Sequence, residues 1–154
     1  MRLPVPQKAE ELDYLGISRK DFFTIPEVKA ELVIVEVFSM YCPHCQKEAP
    51  AVNELYKMIE ADQELKRRIK IIGIGAGNST YEVETFKKHY SVPFPLVPDP
   101  DYKTHDAIGK VRTPHFLVVR LQADGSHKVI YSQAGGFGEP KEFLNLLLSK
   151  SKMK

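Results

Sequence analysis

A predicted strand that leads into a helix carrying both cysteines constrains this chain more than any other stretch. Leu32–Phe38 is an almost continuous apolar run rich in Val and Ile, which is typical of a strand covered on both faces. After three further residues, Cys42-Pro43-His44-Cys45 begins a helix that we expect to end near Asp62. Because the only two cysteines of the chain lie in this one motif, the pattern favours a redox-active dithiol.

Length and charge limit the functions that the rest of the chain can serve. At 154 residues we expect a single domain, 1–154, with an N-terminal arm at 1–30 whose Phe22, Phe23 and Ile25 pack on the core. A net charge of +2, from 22 basic and 20 acidic residues, argues against a dedicated nucleic-acid or membrane surface. No apolar run approaches the roughly 18 residues that span a bilayer.

The N-terminus bears on the compartment. Residues 1–8 lack the apolar segment of a signal peptide. Taken literally this places the protein in the cytoplasm, but a chain from which a signal peptide or anchor had been removed would look the same. The cytoplasmic and extracytoplasmic compartments therefore both stay open at this point.

The order of the predicted elements indicates an α/β fold. A second apolar strand, Ile69–Ala76, follows the helix and completes a βαβ unit, which implies parallel strands and a right-handed crossover. An insertion at 77–112 contains further helical segments, and a β-hairpin over 115–132 and a helix beginning at Pro140 follow it. We predict a mixed central β-sheet flanked by helices, with the helical insertion between the βαβ and ββα halves.

Glu36 interrupts the first apolar strand and allows two interpretations. It either lies at an exposed turn of an edge strand, or it is a buried acid. In the second case desolvation would raise its pKa, because burial disfavours the charged form. Since Glu36 precedes Cys42 by six residues, it would then lie beneath the start of the helix.

The two cysteines are expected to differ in reactivity. Cys42 precedes Pro43 at the helix N-terminus, where the dipole and free N–H groups favour the thiolate, so it is the candidate nucleophile. Cys45 comes one turn later, is more buried, and is placed to attack a mixed disulfide at Cys42. The His44 imidazole would lend positive charge or a hydrogen bond to the thiolate and make the disulfide more oxidising.

Two further questions concern Pro114 and metals. Pro114 is either a simple edge residue or lies close to Cys42, with a cis Thr113–Pro114 bond that turns the Thr113 backbone towards an incoming peptide.

A zinc site would need a second pair of ligands. No other cysteine exists, and the remaining histidines form no H-x₃₋₅-H pair, so we predict no metal site.

Together these residues resemble the thioredoxin superfamily. Glu36, the Cys-Pro-His-Cys motif, Pro50 inside the helix and Thr113-Pro114 occur in the family's order over roughly residues 30–150. The resemblance implies the thioredoxin fold, thiol–disulfide exchange without a bound cofactor, and a cis peptide bond at Pro114. It also implies that Glu36 assists proton transfer to and from Cys45, and that Thr113, Pro114 and Tyr41 contact the substrate, although thioredoxin itself has Trp in place of Tyr41.

Two subfamilies within this superfamily are similar to different parts of the chain. The insertion between Ala76 and Thr113 looks like that of the TlpA/ResA group, which are usually secreted or membrane-tethered reductants, many of them serving cytochrome c maturation. The segment from Glu36 to Cys45 looks like the oxidant DsbA. The resemblance implies a monomer in the periplasm or another extracytoplasmic space, with protein thiols or disulfides as partners and a membrane electron donor of the DsbD/CcdA type.

Two other functions remain as alternatives. Peroxiredoxins have P-x-x-x-[TS]-x-x-C, and Ser39 does lie three residues before Cys42, but Val35 occupies the proline position. Cys45 is also out of character for a peroxidase of that type. The second alternative is a non-catalytic metallochaperone that hands copper or haem to a partner.

Overall fold

The computed structural model describes residues 1–151, which form a central sheet with helices on both faces. The strands are β1 (Leu3–Pro4), β2 (Phe22–Phe23), β3 (Leu32–Phe38), β4 (Ile69–Ala76), β5 (Leu96–Asp99), β6 (His115–Leu121) and β7 (His127–Ala134). The helices are α1 (Ala9–Leu15), α2 (Pro43–Glu60), α3 (Gln63–Arg68), α4 (Thr80–His89), α5 (Lys103–Ile108) and α6 (Pro140–Ser151), with a 3₁₀ turn at Ile25–Glu27. No helix of this part of the chain is long and apolar enough to cross a membrane.

Five strands form one mixed sheet in the order β5-β4-β3-β6-β7. β3 pairs in parallel with β4, and β4 with β5, whereas β6 runs antiparallel to both β3 and β7. β1 and β2 form a separate antiparallel pair. The predicted mixed sheet flanked by helices, with a helical insertion between its two halves, is therefore confirmed.

The middle strand β3 is buried along its whole length. Its side chains alternate between the two faces of the sheet. Ile34 and Phe38 pack with α2 and α6 on one face, while Val33 and Val35 pack with the N-terminal arm on the other. Glu36 falls on the α2 face and is only 3% exposed, so the interpretation of an exposed turn on an edge strand is wrong.

The insertion supplies the edge strand β5. β5 pairs with β4 alone, in the register Gly73 to Leu96, and its proline-rich sequence suits an edge strand better than a central one. Pro98 is tolerated there because an edge strand leaves one row of backbone groups outside the ladder. α4 begins at a capping box in which the side chains of Ser79 and Glu82 each accept the other's backbone N–H.

The N-terminal arm packs mainly as expected. Phe23 and Ile25 are buried, at 1% and 4% exposure. The expectation was wrong for Phe22, which is 47% exposed because neighbouring residues of a strand point to opposite sides. The Arg2 guanidinium lies over the Phe22 ring, 4.8 Å from the ring centroid.

Helix α6 closes the α2 face of the sheet, and neighbouring leucines test its packing. Leu147 is fully buried and Leu146 is 42% exposed. We expect Leu147→Ala to lower the free energy of unfolding by about 2–5 kcal/mol, because it removes buried methyl groups and leaves a cavity. Leu146→Ala is the matched control and should change it by less than about 1 kcal/mol. Urea denaturation measures both, and equal losses would contradict this packing.

Candidate active site

The dithiol lies where β3 ends and α2 begins. Cys42 is the N-cap residue of α2, with extended backbone angles (φ −87°, ψ 112°), and Pro43 follows as the first helical residue. Proline suits this position because its fixed φ is helical and its missing N–H would have no partner there. The Cys45 N–H donates to Cys42 Sγ at 3.1 Å, so the sulfur itself caps the helix.

The two thiols have opposite environments. Cys42 is half-buried and Cys45 is completely buried. Burial works against the Cys42 thiolate, but hydrogen bonds from the Cys45 thiol, the Thr113 side chain and backbone N–H groups outweigh it and lower the pKa of Cys42. Burial raises the pKa of Cys45 far above its ordinary value. The arrangement therefore places the more acidic thiol nearer to solvent and keeps the less acidic thiol behind it.

The predicted substrate residues surround Cys42. The Thr113–Pro114 bond is cis, and the Cys42 thiol lies 3.5 Å from the Thr113 carbonyl oxygen. Pro114 is buried immediately before β6, where its carbonyl accepts the Gly135 N–H at 2.8 Å. Tyr41 is 67% exposed, and its hydroxyl donates to the Glu82 carboxylate. The structure thus brings Tyr41, Thr113 and Pro114 to the dithiol, while their contact with a substrate stays a prediction.

Glu36 lies in the core on the face that carries Cys45. Burial, together with the smaller effect of the Glu48 charge, raises its pKa from 4.5 to about 8. In turn, the charge of Glu36 contributes to the raised pKa of Cys45. A carboxyl group with this pKa is largely protonated at neutral pH and ionises within reach of physiological conditions, so it is suited to exchange a proton with a nearby sulfur.

Glu48 is a site residue that the sequence analysis missed. Its half-buried carboxyl group has a raised pKa because of burial, and Oε2 has no hydrogen-bond partner within residues 1–151. The carboxylate lies against Gly136, where an added Cβ would come within 2.3 Å of Oε1. The available signal was spacing, because Glu48 follows Cys45 by three residues and therefore shares its side of α2.

His44 contributes to the site through its backbone N–H and through the charge of its imidazole. Its side chain is exposed, and its backbone N–H is the group that helps to lower the pKa of Cys42. The imidazole charge instead acts on Glu48, whose pKa it lowers against the effect of burial. A direct effect of the imidazole on the Cys42 thiolate stays a prediction.

Metal binding has no further support from side-chain clusters. Within residues 1–151 no group of three or more His, Cys, Asp or Glu side chains is arranged to hold a metal ion. The two thiols are the groups that a soft metal would contact first. The sequence-based expectation of no bound cofactor stays a prediction.

The sheet, the helix-capping dithiol and the cis-proline define a thioredoxin-fold protein. Solved structures with this fold include StoA from Bacillus subtilis, with a TM-score of 0.64 over 82% of this chain and 89% of that chain, at 18% identity. A putative thiol:disulfide interchange protein DsbE from Chlorobium tepidum gives a TM-score of 0.66 over 98% of this chain and 92% of that chain, at 15% identity. At such identities the likeness shows the fold, and the predicted thioredoxin fold is confirmed.

Sequence comparison gives the family. The profile of the AhpC/TSA family matches residues 7–131, so the chain belongs to that family. Among curated proteins, the thiol-disulfide oxidoreductase ResA of Bacillus subtilis is 29% identical over 125 residues, covering 80% of this chain and 65% of ResA. ResA of Halalkalibacterium halodurans is 24% identical over 123 residues, covering 79% of this chain and 65% of that protein. The chain thus spans about two thirds of the length of these relatives, and its resemblance to the ResA group is confirmed.

Alkylation tests the difference between the thiols. The lowered pKa of Cys42 means that its thiolate forms at a lower pH than that of an ordinary cysteine, whereas Cys45 stays protonated. We expect iodoacetamide to modify Cys42 alone, at a rate that levels off at lower pH than the rate for glutathione. Mass spectrometry of the reduced protein between pH 5 and 9 identifies the modified residue. Initial labelling of Cys45 would contradict the assignment.

The buried Glu36 makes stability depend on pH. The unfolded chain loses this proton near pH 4.5, whereas the folded protein keeps it until about pH 8, so wild-type stability falls as the pH rises between these values. Glu36→Gln removes the effect, and its stability relative to wild type should rise by about 3 kcal/mol from pH 4.5 to pH 7. Urea denaturation under reducing conditions measures this.

The control for this prediction is Glu54→Gln, at an exposed position of the same helix α2 that packs over Glu36. It should show the pH dependence of wild type. If Glu36→Gln also followed wild type at every pH, the carboxyl group would not pay a desolvation cost in the folded protein.

Proposed function

We propose that the protein is a thiol–disulfide oxidoreductase that exchanges disulfides with partner proteins through Cys42 and Cys45. The observation that carries this proposal is the division of the dithiol into a half-exposed thiol with a lowered pKa and a buried thiol with a raised one. Disulfide exchange needs both thiols. Cys42 must attack the partner as a thiolate, while Cys45 must stay unreactive until the mixed disulfide has formed. The names of the ResA relatives agree with this activity.

The reaction proceeds in two exchanges. The Cys42 thiolate attacks a disulfide of the partner, forms a mixed disulfide and releases one partner thiolate. The Cys45 thiol then passes its proton to ionised Glu36, and its thiolate attacks Cys42 Sγ. The second partner sulfur leaves as a thiolate, and the Cys42–Cys45 disulfide remains. In the reverse direction protonated Glu36 returns the proton to Cys45 as that sulfur leaves.

The partner backbone is proposed to bind beside the cis-proline. Thr113 and Pro114 precede β6, and the Thr113 carbonyl oxygen already lies 3.5 Å from Cys42 Sγ. An extended peptide that pairs with Thr113 as an added strand would bring its cysteine to this sulfur. Tyr41 directly precedes Cys42, and its exposed ring is available for contact with partner side chains.

The direction of electron flow depends on the potential of the disulfide. The TlpA/ResA-like insertion between Ala76 and Thr113 leads us to propose a reductant of the cytochrome c maturation type, active as a monomer outside the cytoplasm and supplied by a membrane donor of the DsbD/CcdA type. The DsbA-like His44 favours an oxidant instead. A potential near that of thioredoxin, about −270 mV, would support the reductant, and one near that of DsbA, about −120 mV, would support the oxidant.

Two serine variants test the proposed roles. Cys42→Ser should abolish insulin reduction, because it removes the attacking thiolate. Cys45→Ser should accumulate mixed disulfides, because the resolving thiol is gone. Non-reducing electrophoresis with an insulin-reduction assay measures both outcomes, and full turnover in both variants would overturn the proposal.

The same proteins distinguish the two alternatives. Peroxide consumption that survives in Cys45→Ser, without mixed disulfides to protein partners, would indicate a thiol peroxidase. Stoichiometric copper or haem binding by the reduced wild-type protein, without insulin reduction, would indicate a metallochaperone.

A further inference from the structure

The backbone of Met40, in the turn between β3 and α2, is hydrogen-bonded on both sides by amide side chains. Its N–H donates to Asn78 Oδ1 at 2.8 Å, and its carbonyl accepts from Gln46 Nε2 at 2.9 Å. Met40 lies two residues before Cys42, so both side chains hold the turn that carries the nucleophile. Neither amide has a role in the proposed exchange reaction.

Asn78 is itself fixed in place. It is 1% exposed, its N–H donates to the Gly75 carbonyl at 3.0 Å, and its carbonyl accepts the Asp99 N–H at 3.2 Å. Its side chain fills space that a glycine leaves free, because a Cβ at Gly75 would lie 2.9 Å from Asn78 Oδ1. The acceptor for the Met40 N–H therefore comes from a buried, hydrogen-bonded residue that follows β4, 38 residues away along the chain.

The turn transmits this position to the dithiol. The Cys42 N–H donates to the Ser39 carbonyl at 3.1 Å, and the Tyr41 N–H donates to Ser39 Oγ at 3.3 Å. A hydrogen bond from the Ser39 backbone also favours the Cys45 thiolate. Since hydrogen bonds weaken steeply with distance and angle, a shift of the turn would change the contacts that Cys42 Sγ makes with the Cys45 N–H and with Thr113.

We propose that Asn78 and Gln46 are positioning residues that hold the Met40 backbone and thereby set the reduction potential and reactivity of the Cys42–Cys45 pair. The inference rests on the proposed function, because it requires that these cysteines form a reversible disulfide. The held turn favours the reduced form, in which Cys42 receives hydrogen bonds as a thiolate. Loss of either hydrogen bond to the Met40 backbone stabilises the disulfide relative to the dithiol and makes the protein a weaker oxidant.

Asn78→Ala and Gln46→Ala each remove one of the two hydrogen bonds. Equilibration in glutathione buffers should show that each variant shifts the equilibrium at least threefold towards the disulfide, which corresponds to about 14 mV at 29.6 mV per tenfold change. The thiolate absorbance of Cys42 should appear at higher pH than in wild type. Neither change follows from a mere loss of stability.

Asn53→Ala is the matched control. Asn53 is also an asparagine whose side-chain amide donates to a backbone carbonyl, that of Tyr90 at 2.9 Å, and it lies two turns beyond Cys45 on α2. We expect this variant to melt at a lower temperature while its potential and thiolate titration match wild type. An equal shift of the potential in Asn53→Ala would show general destabilisation and overturn the positioning role.

The remaining outcomes are decisive as well. Wild-type potential and titration in both folded variants would overturn the inference. If Asn78→Ala fails to fold, Gln46→Ala decides, because it leaves Asn78 and the edge of the sheet unchanged. A wild-type protein without a reversible Cys42–Cys45 disulfide would refute the proposed function itself, and that result is visible before any variant is compared.

Discussion

The hydrogen bond from the Cys45 N–H to Cys42 Sγ is the interaction on which the site depends. It exists because α2 begins at Pro43, so that the first free N–H groups of the helix face the preceding sulfur. It also distinguishes the two sulfurs. The sulfur that accepts is the one held in the turn near solvent, and the sulfur one turn later is carried into the core. A single helix start thus gives different environments to two thiols that lie only three residues apart, as the proposed attacking and resolving roles require.

The core beneath the start of α2 contains a carboxyl group, that of Glu36, whose burial costs stability. Glu36 lies in the middle of the sheet, between Gly73 on β4 and Phe116 on β6. Burial keeps it protonated well above the pH at which an exposed carboxyl group ionises, and the folded protein loses stability in that range. Such a cost is typical of functional sites, where a perturbed pKa serves proton transfer. The surrounding apolar residues compensate for it, since both faces of the sheet are covered.

The sequence predicted the elements that local pattern determines. β3 and β4 are continuous apolar runs, and their observed bounds, Leu32–Phe38 and Ile69–Ala76, match the prediction. The position of Glu36 stayed open because strand order is not a local property. Glu48, Gln46 and Asn78 were missed because polar residues on a helix or after a strand usually face solvent. Asn78 in particular acts on a backbone group 38 residues away, which no periodicity indicates.

The Cys-Pro-His-Cys motif also has to be understood together with the helix that follows it. The charge of His44 lowers the pKa of Glu48, and the charge of Glu48 adds to the burial that raises the pKa of Glu36. Only when Glu36 is ionised does its charge add to the burial that raises the pKa of Cys45. These couplings connect an exposed imidazole to the buried thiol through two carboxyl groups. A positive charge at His44 favours ionised Glu48, and the charge of Glu48 adds to the burial that keeps Glu36 protonated. The dipeptide between the cysteines therefore lies at the helix start that holds Cys42 and is also coupled through charge to the carboxyl groups near Cys45.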